Sequence, residues 1–600
     1  MPSSSRTSRS RRRRSTPGRS RKPLWIGLGV VAVVLVGALG WLGYEASQAQ
    51  KAIASATDEA KDLQSQITSG DTDLARNTLR ALQESTTTAR TRTDGPLWGA
   101  VAKVPFVGSS ISAVQTAAGS LDDIAQRGLP PVVETSTSLD SNLFRPDDGQ
   151  FPLEEFAGLA KPVSTAANVL TENRERIDAI DGGSLIGPVK GPVDELKEKV
   201  GTAQRAAAAA AKGLRLAPPM LGIEGKRTYL LMFQNNAESR SLGGIPGALA
   251  LVTAENGELE FDQQFTIGDL EDFDDPVVKV TDNEQRTYGT TIAEDIRDTT
   301  LTPDFPRVAK IARAMVEESF DVKVEGVLSI DPVALSYVLD GTGPIEVGDD
   351  TTLTTDNAVE ILLNTVYARY EDPQVQDAFF ADAAQKIFKA ALSGRGDSRK
   401  TLEGLTKAVD ERRIMLWSAQ KDEEADLAGT RLAGGLPAES STPHVGVYVN
   451  DTTSSKMQYY LDWSTTVEST RCTDGGAQTL VATTTVESTA PADASGLPDY
   501  ITGNGSRAPE GDQQFTVRVF APWGGTIESV DADDAQSLDT SGRSGERPVA
   551  LTAFTLEPGQ KVQIRTTMTS GEGQRAGAVV TTTPGVRSLD QDRRFGSSCA

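Results

Sequence analysis

Residues 227–233 read Arg-Thr-Tyr-Leu-Leu-Met-Phe, a short and nearly continuous apolar run. Such a run is typical of a β-strand that is buried on both faces. The polar stretch 234–244, Gln-Asn-Asn-Ala-Glu-Ser-Arg-Ser-Leu-Gly-Gly, follows it directly. Two further strand-like segments, 248–253 and 258–266, flank Asn256-Gly257, a dipeptide that favours a type I′ hairpin turn. These residues therefore predict the start of a sheet, with a polar loop at the end of its first strand.

The flanking patterns extend this sheet into a mixed domain. Helical spacing recurs at 306–319, 332–340, 355–370 and 376–392, and Val324–Ile330 is a second strand candidate. Strands mixed with helices predict a mixed α/β (α+β) core domain at residues 220–435. From Val445 onward, Thr-rich and β-branched runs alternate with turn residues, which predicts an all-β, sandwich-like domain at residues 440–600.

The chain before this core has a helical pattern. Apolar residues recur at steps of three and four from Ile53 to Ile67, and similar patterns follow around 153–180 and 191–214. Pro218-Pro219 closes the last of them. We predict an extracytoplasmic helical stalk or bundle at residues 46–215, whose apolar stripes pack against one another.

The N-terminus pairs a basic tail with an apolar run. Residues 24–43 carry no charged side chain, and the tail before them holds nine cationic side chains and no acidic one. Twenty helical residues span about 30 Å, the thickness of a bilayer core. We therefore predict a transmembrane helix at 24–43 that contacts the lipid bilayer, with a basic cytoplasmic tail at 1–23. The alternatives are a cleaved secretory signal, although its apolar stretch is usually shorter, roughly 7 to 15 residues, and a nucleic-acid-binding basic tail.

These segments together predict a multidomain chain with an N-terminal transmembrane helix, a helical stalk or bundle, a mixed α/β (α+β) domain and a C-terminal all-β sandwich-like domain. The predicted location is the plasma membrane, as a single-pass protein with a cytoplasmic N-terminus and the bulk of the chain extracytoplasmic.

Composition excludes several kinds of site. The net charge is −23 although the first 22 residues are strongly basic, so the remainder repels polyanions and we predict no nucleic-acid partner. One histidine, His444, and two cysteines are too few for a zinc site of His and Cys ligands. The acidic run 269–275 lacks the glycine and glutamate of an EF-hand, so no metal site is predicted. His444 is expected to have a structural role.

Cys472 and Cys599 both fall in the predicted outer part of the chain, where oxidation is possible. A disulfide between them is the favoured interpretation. Two unpaired thiols are the alternative.

The polar loop after the first strand is the best candidate for a ligand site, because it holds amides, a carboxylate, a guanidinium and two glycines. A guanidinium fork matches phosphate or carboxylate, and glycines let main-chain N–H groups approach an oxyanion. A turn held by its own hydrogen bonds is the competing interpretation. The candidate residues are Asn235, Asn236, Glu238, Arg240, Gly243 and Gly244, joined by Arg297, Asp298, Arg307 and Arg369 if folding brings them near.

Several spaced motifs resemble a known family. Residues 229–244 (Tyr-Leu-Leu-Met-Phe-Gln-Asn-Asn-Ala-Glu-Ser-Arg-Ser-Leu-Gly-Gly), 302–306 (Thr-Pro-Asp-Phe-Pro), 325–335 and 341–347 look like the signature of domain-of-unknown-function family 4012. The resemblance spans about residues 220 to 430. It implies an exported, membrane-anchored actinobacterial protein with no settled biochemical activity.

A fainter likeness is to LytR-CpsA-Psr-type cell-wall ligases, which transfer glycan phosphates from polyprenyl carriers to peptidoglycan. Arg297-Asp298-Thr299 is similar to their Pro-Arg-Asp-Thr with Ile296 in place of proline, and Tyr367-Ala-Arg-Tyr is similar to their Arg-x-Arg with Tyr367 in place of the first arginine. This likeness implies a Mg²⁺-assisted phosphotransferase that holds pyrophosphate with Arg240, Arg297 and Arg369.

The leading hypothesis is a cell-envelope protein of unknown biochemical activity that binds a cell-wall glycan or a polyprenyl-linked precursor and needs no cofactor. The alternative is a phosphotransferase that attaches glycopolymers to the cell wall, with Mg²⁺.

Overall fold

The computed structural model describes residues 44–45, 47–49, 51–63, 65–66, 71–136, 149–348, 350–393, 396–437, 439–532, 536–537, 542–588 and 591–599. The chain divides into two compact units. The first comprises the described residues of 1–139 and 161–211, and the second those of 140–160 and 212–600.

The first unit is helical. Its elements come from the helices Thr72–Thr93, Pro96–Val101, Gly108–Asp123, Leu129–Ser136, Leu153–Asp178 and Gly187–Met220, with a π-helical turn at Ile124–Gly128 and a 3₁₀ turn at Gly182–Ser184. The last two long helices continue into the residue ranges of the second unit. Ala56, Leu63, Leu79 and Leu82 are buried in one cluster, so the stripe that begins near Ile53 packs internally. Asp71 accepts a hydrogen bond from the Leu74 N–H and caps the helix Thr72–Thr93.

A five-stranded mixed sheet begins the second unit. Its strands are β1 (Arg227–Asn235), β2 (Ile245–Glu255), β3 (Glu258–Phe265), β4 (Gly326–Ile330) and β7 (Met415–Ser418), in the order β3-β2-β1-β4-β7; β5 (Ile345–Val347) and β6 (Thr351–Leu353) form a separate hairpin. β1 and β4 are parallel, with Tyr229 opposite Gly326, and the other pairs are antiparallel. Asn256 and Gly257 both have positive φ, as a type I′ turn between β2 and β3 requires.

Helices cover both faces of this sheet. Their bounds are Asp282–Tyr288, Phe305–Phe320, Pro332–Thr342, Ala358–Glu360, Val366–Arg369, Pro373–Leu392, Ser398–Asp410 and Lys421–Leu427, with a π-helical turn at Ile361–Thr365 and 3₁₀ turns at Ile267–Asp269, Thr291–Ala293 and Ile296–Leu301. Leu230 and Met232 pack with Phe305 and Met315 on one face. Leu231 packs with Phe388 on the other. The alternation of these side chains explains why the β1 sequence is apolar at successive positions.

The C-terminal part is a β-sandwich. One sheet has the order β12-β16-β10-β9 and the other β13-β15-β11-β8-β17-β18, with β14 also paired to β15. The strands are β8 (His444–Asp451), β9 (Leu461–Cys472), β10 (Gln478–Ser488), β11 (Gln513–Phe520), β12 (Thr526–Ala532), β13 (Gln536–Ser537), β14 (Gly542–Ser544), β15 (Arg547–Leu556), β16 (Lys561–Thr569), β17 (Val579–Thr582) and β18 (Arg593–Arg594); short helical turns lie at Met457–Tyr460, Ala494–Gly496 and Asp499–Thr502. β17 is parallel to β8, whereas the other pairs are antiparallel. The mixed sheet and the sandwich belong to one compact unit, and Tyr448 and Phe520 share a core with Leu242.

The predicted fold class needs one correction, because it included an N-terminal transmembrane helix. Over the described ranges, no helix is both long enough and apolar enough to cross a membrane. The longest helices, Leu153–Asp178 and Gly187–Met220, carry charged residues along their length and therefore have one packing face and one solvated face. Residues 24–43, where the helix was predicted, lie outside the described residues.

Candidate functional site

A cavity of about 380 Å³ lies beside the ends of the two parallel strands. β1 ends at Asn235, and β4 ends at Ile330 and leads through the capping residue Asp331 into the helix Pro332–Thr342. Ligands of α/β proteins commonly bind outside the carboxyl ends of parallel strands. The volume also falls within the usual range of small-molecule pockets, about 300 to 1,000 Å³.

The cavity walls are largely apolar. The helix Pro373–Leu392 contributes Pro373, Phe380, Ala383 and Ala384, and the small alanines leave open the space that larger side chains would fill. The other apolar lining residues are Phe233, Ile245, Ala248, Ile267, Pro332, Leu335, Leu362 and Leu363. Such a lining favours apolar parts of a ligand, because their burial removes apolar surface from water.

A connected group of polar side chains forms part of the wall. Asn235 Nδ2 donates to Glu238 Oε2 at 2.8 Å and to the Tyr367 hydroxyl at 2.9 Å. Lys456 Nζ lies 2.9 Å from the same Glu238 oxygen. Asn235 Oδ1 accepts from the Ala237 N–H, which holds the amide in this orientation. The group is therefore preorganised, and its charges are paired.

Aromatic rings surround the lysine. The Lys456 ammonium lies 5.2 Å from the ring centroid of Tyr367 and 4.8 Å from that of Tyr500. Tyr367 and Tyr500 are stacked with centroids 5.8 Å apart, and Phe380 lies 5.6 Å from Tyr367. Cation–π attraction adds to the ion pair and keeps the ammonium at the cavity wall.

Burial controls protonation in this site. It raises the pKa of the Tyr367 phenol well above its ordinary value, and the nearby Glu238 carboxylate acts in the same direction. Burial, followed by repulsion from Asp269, also raises the pKa of the lining residue Asp377. Tyr367 is thus a neutral hydrogen-bonding group at neutral pH. Among the described lining residues the only cation, Lys456, is balanced by Glu238, so the cavity has no excess of positive charge.

One buried polar atom of the lining lacks a partner within the described part of the chain. Gln234 donates from Nε2 to Ser329 Oγ at 3.0 Å, but its buried Oε1 accepts no hydrogen bond there. Buried polar atoms in folded proteins are usually paired, by protein groups or by bound molecules. Within the described ranges, Gln234 Oε1 is thus an unpaired buried acceptor on the face of β1 that also carries Met232.

Of the sequence-predicted residues, the structure brings Asn235 and Glu238 to this cavity. The rest of the loop is packed into the protein. Asn236 donates to Asp331 Oδ2 at 3.0 Å and to the carbonyls of Gly243 and Pro584. A Cβ atom on Gly244 would lie 1.9 Å from the Asn235 carbonyl oxygen, so this glycine permits a close backbone approach within the loop.

The loop is held by its own backbone hydrogen bonds, which agrees with the competing interpretation of a self-bonded turn. The N–H groups of Glu238, Gly243 and Ile245 donate to the carbonyls of Asn235, Arg240 and Glu238, respectively. The loop also contacts the sandwich, because Asp451 N–H donates to the Ser239 carbonyl at 2.8 Å. Most of its polar groups are therefore used within the protein.

Arg240 lies in an ion-pair group away from the cavity lining. Its guanidinium is 3.6 Å from Asp298 and 3.9 Å from Asp451, and it donates to the Asp451 carbonyl at 3.1 Å. Burial raises the pKa of Asp451 to about 6, although the charge of Arg240 opposes this shift. Asp298 is therefore an ion-pair partner of Arg240 and does not line the cavity.

The other predicted arginines have separate partners. Arg297 pairs with Asp295 at 2.5 Å, Arg307 pairs with Glu284 at 2.6 Å, and Arg369 donates to Thr351 Oγ1 at 2.9 Å. None of these arginines is among the residues that line the cavity. The arrangement differs from the shared pyrophosphate clamp that the phosphotransferase hypothesis requires.

Sequence reasoning missed Tyr367, Gln376, Lys456 and Tyr500. The sequence indicated Tyr367 only as the residue that replaces the first arginine of the ligases' Arg-x-Arg motif. Lys456 and Tyr500 belong to the sandwich and have no local signal, because they reach the cavity only after the sandwich has packed against the mixed sheet. The burial of Lys456 depends on tertiary contacts and therefore cannot be recognised from the sequence around it.

The structure joins Cys472 and Cys599 by a disulfide bond. It connects the end of β9 to the C-terminal segment that follows β18.

The comparisons with known proteins give one result. Neither a curated protein nor a solved structure matches the chain. The matching family model covers β1 to β6, the polar loop and Tyr367, but not the helix Pro373–Leu392 or Lys456. Residues 224–367 are thus similar to the family described as "protein of unknown function (DUF4012)".

Proposed function

We propose that this chain is an extracytoplasmic cell-envelope protein that binds the lipid part of a lipid-linked envelope precursor. The cavity beside β1 and β4 carries the proposal, because apolar walls and a small, preorganised polar group are the usual features of a binding site. The apolar chain of the ligand would contact Leu335, Leu362 and Phe380.

The charge of the cavity favours burial of the ligand's hydrocarbon chain over burial of its phosphate. Lys456 is already paired with Glu238, and Asp377 adds a further carboxyl group to the lining. A pyrophosphate buried there would have no unpaired cation to offset its desolvation. The charged headgroup of the precursor would therefore remain at the mouth, in water.

A free glycan is the less favoured ligand. Sugars need many hydrogen-bonding partners when they are buried, whereas the polar groups Asn235, Glu238, Tyr367 and Lys456 are already bonded to one another. The phosphotransferase alternative stays a prediction. Its arginines are occupied by Asp298, Asp295 and Thr351.

The disulfide supports an extracytoplasmic location, because such bonds persist mainly in oxidising compartments. A location at the plasma membrane stays a prediction, since the residues on which it depends lie outside the described ranges.

The test is a binding titration of the purified full-length chain with a polyprenyl phosphate and, separately, with a soluble wall glycan. Ala384→Leu and Ala384→Trp place increasing bulk in the cavity. We expect polyprenyl phosphate binding to weaken stepwise, by at least about tenfold for tryptophan, a loss that corresponds to about 1.4 kcal/mol.

Lys389→Trp is the matched control, because Lys389 is exposed on the same helix and does not line the cavity. It should bind the lipid as the wild type does. The proposal fails if Ala384→Trp binds the lipid normally, or if only the glycan binds. Thermal unfolding of each variant separates a filled cavity from a damaged fold.

A further inference from the structure

The first unit presents an exposed apolar turn between two helices. Residues 103–107, Lys-Val-Pro-Phe-Val, connect the helices Pro96–Val101 and Gly108–Asp123, and all five are exposed. Phe106 is 93% exposed, the highest value among the exposed large apolar side chains of the described residues. We call Val104, Pro105, Phe106, Val107 and Ile186 the apolar tip. A large aromatic side chain held fully in water is unusual for a surface without a partner.

The tip has a defined backbone. The Val104 N–H donates to the Val101 carbonyl at 3.0 Å, and the Gly108 N–H donates to the Val104 carbonyl at 2.9 Å. A Cβ atom on Gly108 would lie 2.2 Å from the Ala102 carbonyl oxygen, so the turn closes tightly on itself. Phe106 has a φ of 68°, a left-handed conformation that is unfavourable for a phenylalanine. Such strain at an exposed aromatic residue points to a function for the turn.

A second segment extends the tip. Ser109 Oγ donates to the Ser184 carbonyl at 2.7 Å, and the Ile186 N–H donates to Ser110 Oγ at 3.0 Å. These bonds place the exposed Ile186 next to the turn. Lys103 and Lys190, both exposed, stand in the same two segments. The tip therefore combines apolar side chains with nearby cations.

The described chain begins at this same end of the unit. Glu45 forms an ion pair with Arg92 at 3.2 Å, in the last turn of the helix Thr72–Thr93. Glu45 also lines a surface depression together with Pro96, Leu97 and Trp98, the residues that lead into the tip. Tyr44 and Glu45, the first described residues, therefore lie at the end of the unit that carries the tip.

We propose that the apolar tip inserts into the interfacial region of a lipid bilayer that contains anionic lipids. Phe106, Val104 and Val107 would enter the boundary between headgroups and acyl chains. Lys103 and Lys190 would stay at the level of the anionic headgroups, since lysine side chains keep their ammonium groups in the polar layer. Docking would orient the first unit with the tip towards the membrane and the start of the helix Thr72–Thr93 away from it.

The test places an environment-sensitive fluorophore on the tip of the full-length chain. Because the two native cysteines form a disulfide, the introduced thiol of Phe106→Cys reacts selectively. The labelled protein is mixed with vesicles of phosphatidylcholine and phosphatidylglycerol, with and without spin-labelled lipid. We expect the emission to shift to shorter wavelength and to be quenched by the spin label. Val104→Cys repeats the measurement at a residue without positive φ.

Leu74→Cys is the matched control. Leu74 is 51% exposed near the opposite end of the helix Thr72–Thr93, roughly 28 Å along the helix axis from Thr93. Its label should keep an aqueous emission and escape quenching. Equal quenching at both positions, or no quenching at the tip, would overturn the proposal. A blue shift at Phe106 that spin-labelled lipid does not quench would indicate contact with a second copy of the chain and would also overturn it.

The lysines give an independent check. Lys103→Glu combined with Lys190→Glu should lower tip quenching on vesicles with phosphatidylglycerol and leave it unchanged on phosphatidylcholine alone. Unchanged quenching on both kinds of vesicle would contradict recognition of anionic headgroups.

Discussion

The Lys456 ammonium lies 2.9 Å from Glu238 Oε2, and the two side chains are only 8% and 11% exposed. Glu238 belongs to the loop after β1 of the mixed sheet, whereas Lys456 follows β8 of the sandwich. A buried ion pair is sensitive to the loss of one partner, because the remaining charge is left without compensation in a poorly solvated site. The shape of the cavity therefore depends on the contact between the mixed sheet and the sandwich, which this pair helps to hold.

Lys456→Met should destabilise the protein by about 3 to 5 kcal/mol, since Glu238 then remains buried without its cation. Adding Glu238→Gln removes the stranded charge, so the double variant should be more stable than Lys456→Met alone. Urea unfolding of the two single variants and the double variant measures the coupling energy. Additive losses would show that the pair does not act as a unit.

Arg413 is a second buried charge that joins the parts of this unit. Its side chain is 0% exposed and donates to Asp331 at 2.8 Å, to Glu411 at 2.7 Å and to the carbonyls of Gly585 and Arg587. Arg413→Met should cost about 3 to 5 kcal/mol, because the buried carboxylates of Asp331 and Glu411 lose the buried cation that they share. Arg413→Lys should also be destabilising, since an ammonium cannot reproduce the guanidinium fork.

Arg399→Met is the control for Arg413, because Arg399 is 76% exposed in a pair with Glu403 one helical turn away. Arg399→Met should lower the free energy of unfolding by no more than about 0.5 kcal/mol. Chemical denaturation compares the midpoints of the three variants. A small effect at Arg413, equal to that at Arg399, would contradict the importance of the buried network.

His444 should make the protein sensitive to mild acid. Burial, and then the charge of Arg547, lower the pKa of this imidazole to about 4, so between pH 6.5 and 4 His444 binds more protons in the unfolded chain than in the folded one. The stability contributed by neutral His444 is complete above pH 6.5 and is lost as the pH falls towards 4. The loss amounts to about 3 kcal/mol over this window.

His444→Gln should therefore reduce the fall in stability between pH 6.5 and 4. The comparison with the wild type isolates His444, because Asp451 has a pKa raised to about 6 and contributes with the opposite sign in both proteins. Unfolding free energies at several pH values provide the measurement. Parallel curves for the two proteins would rule out His444 as the titrating group.

The disulfide should stabilise the sandwich. Cys472 and Cys599 are separated by 127 positions, and closing a loop of that length contributes up to about 5 kcal/mol in the chain-entropy account. Replacing both residues with serine should lower the unfolding midpoint. Alkylation before and after reduction tests the bond, because two thiols that react without a reductant would contradict it.

Local sequence patterns predicted β1, the turn between β2 and β3 and the strands of the sandwich, because each of these depends on residues close together in the sequence. The apolar run 227–233 lies within β1, and Asn256-Gly257 forms the turn between β2 and β3. Both depend on short-range physics, namely burial on two faces and tolerance of positive φ. The sandwich strands were recognisable for the same reason, since side chains alternate between core and solvent along each strand.

The polar loop 234–244 shows where local reasoning stops. Its composition indicated a ligand site, and two of its residues, Asn235 and Glu238, do line the cavity. Asn236 and Gly244 have the same local context but serve packing, because Asp331 lies beside the first and the Asn235 carbonyl lies beside the second. Residue type alone does not distinguish these roles.

By itself the sequence determined the order of helical, mixed and all-β segments, the scarcity of histidine and cysteine, and the position of a polar loop after a buried strand. Only the tertiary structure decided that Lys456 and Tyr500 of the sandwich complete a cavity of the mixed sheet, and that Arg240, Arg297 and Arg369 have separate partners. The physical reason is that secondary structure follows from residues a few positions apart. A binding site, in contrast, is formed by side chains that can be far apart in the sequence and become neighbours only when the chain folds.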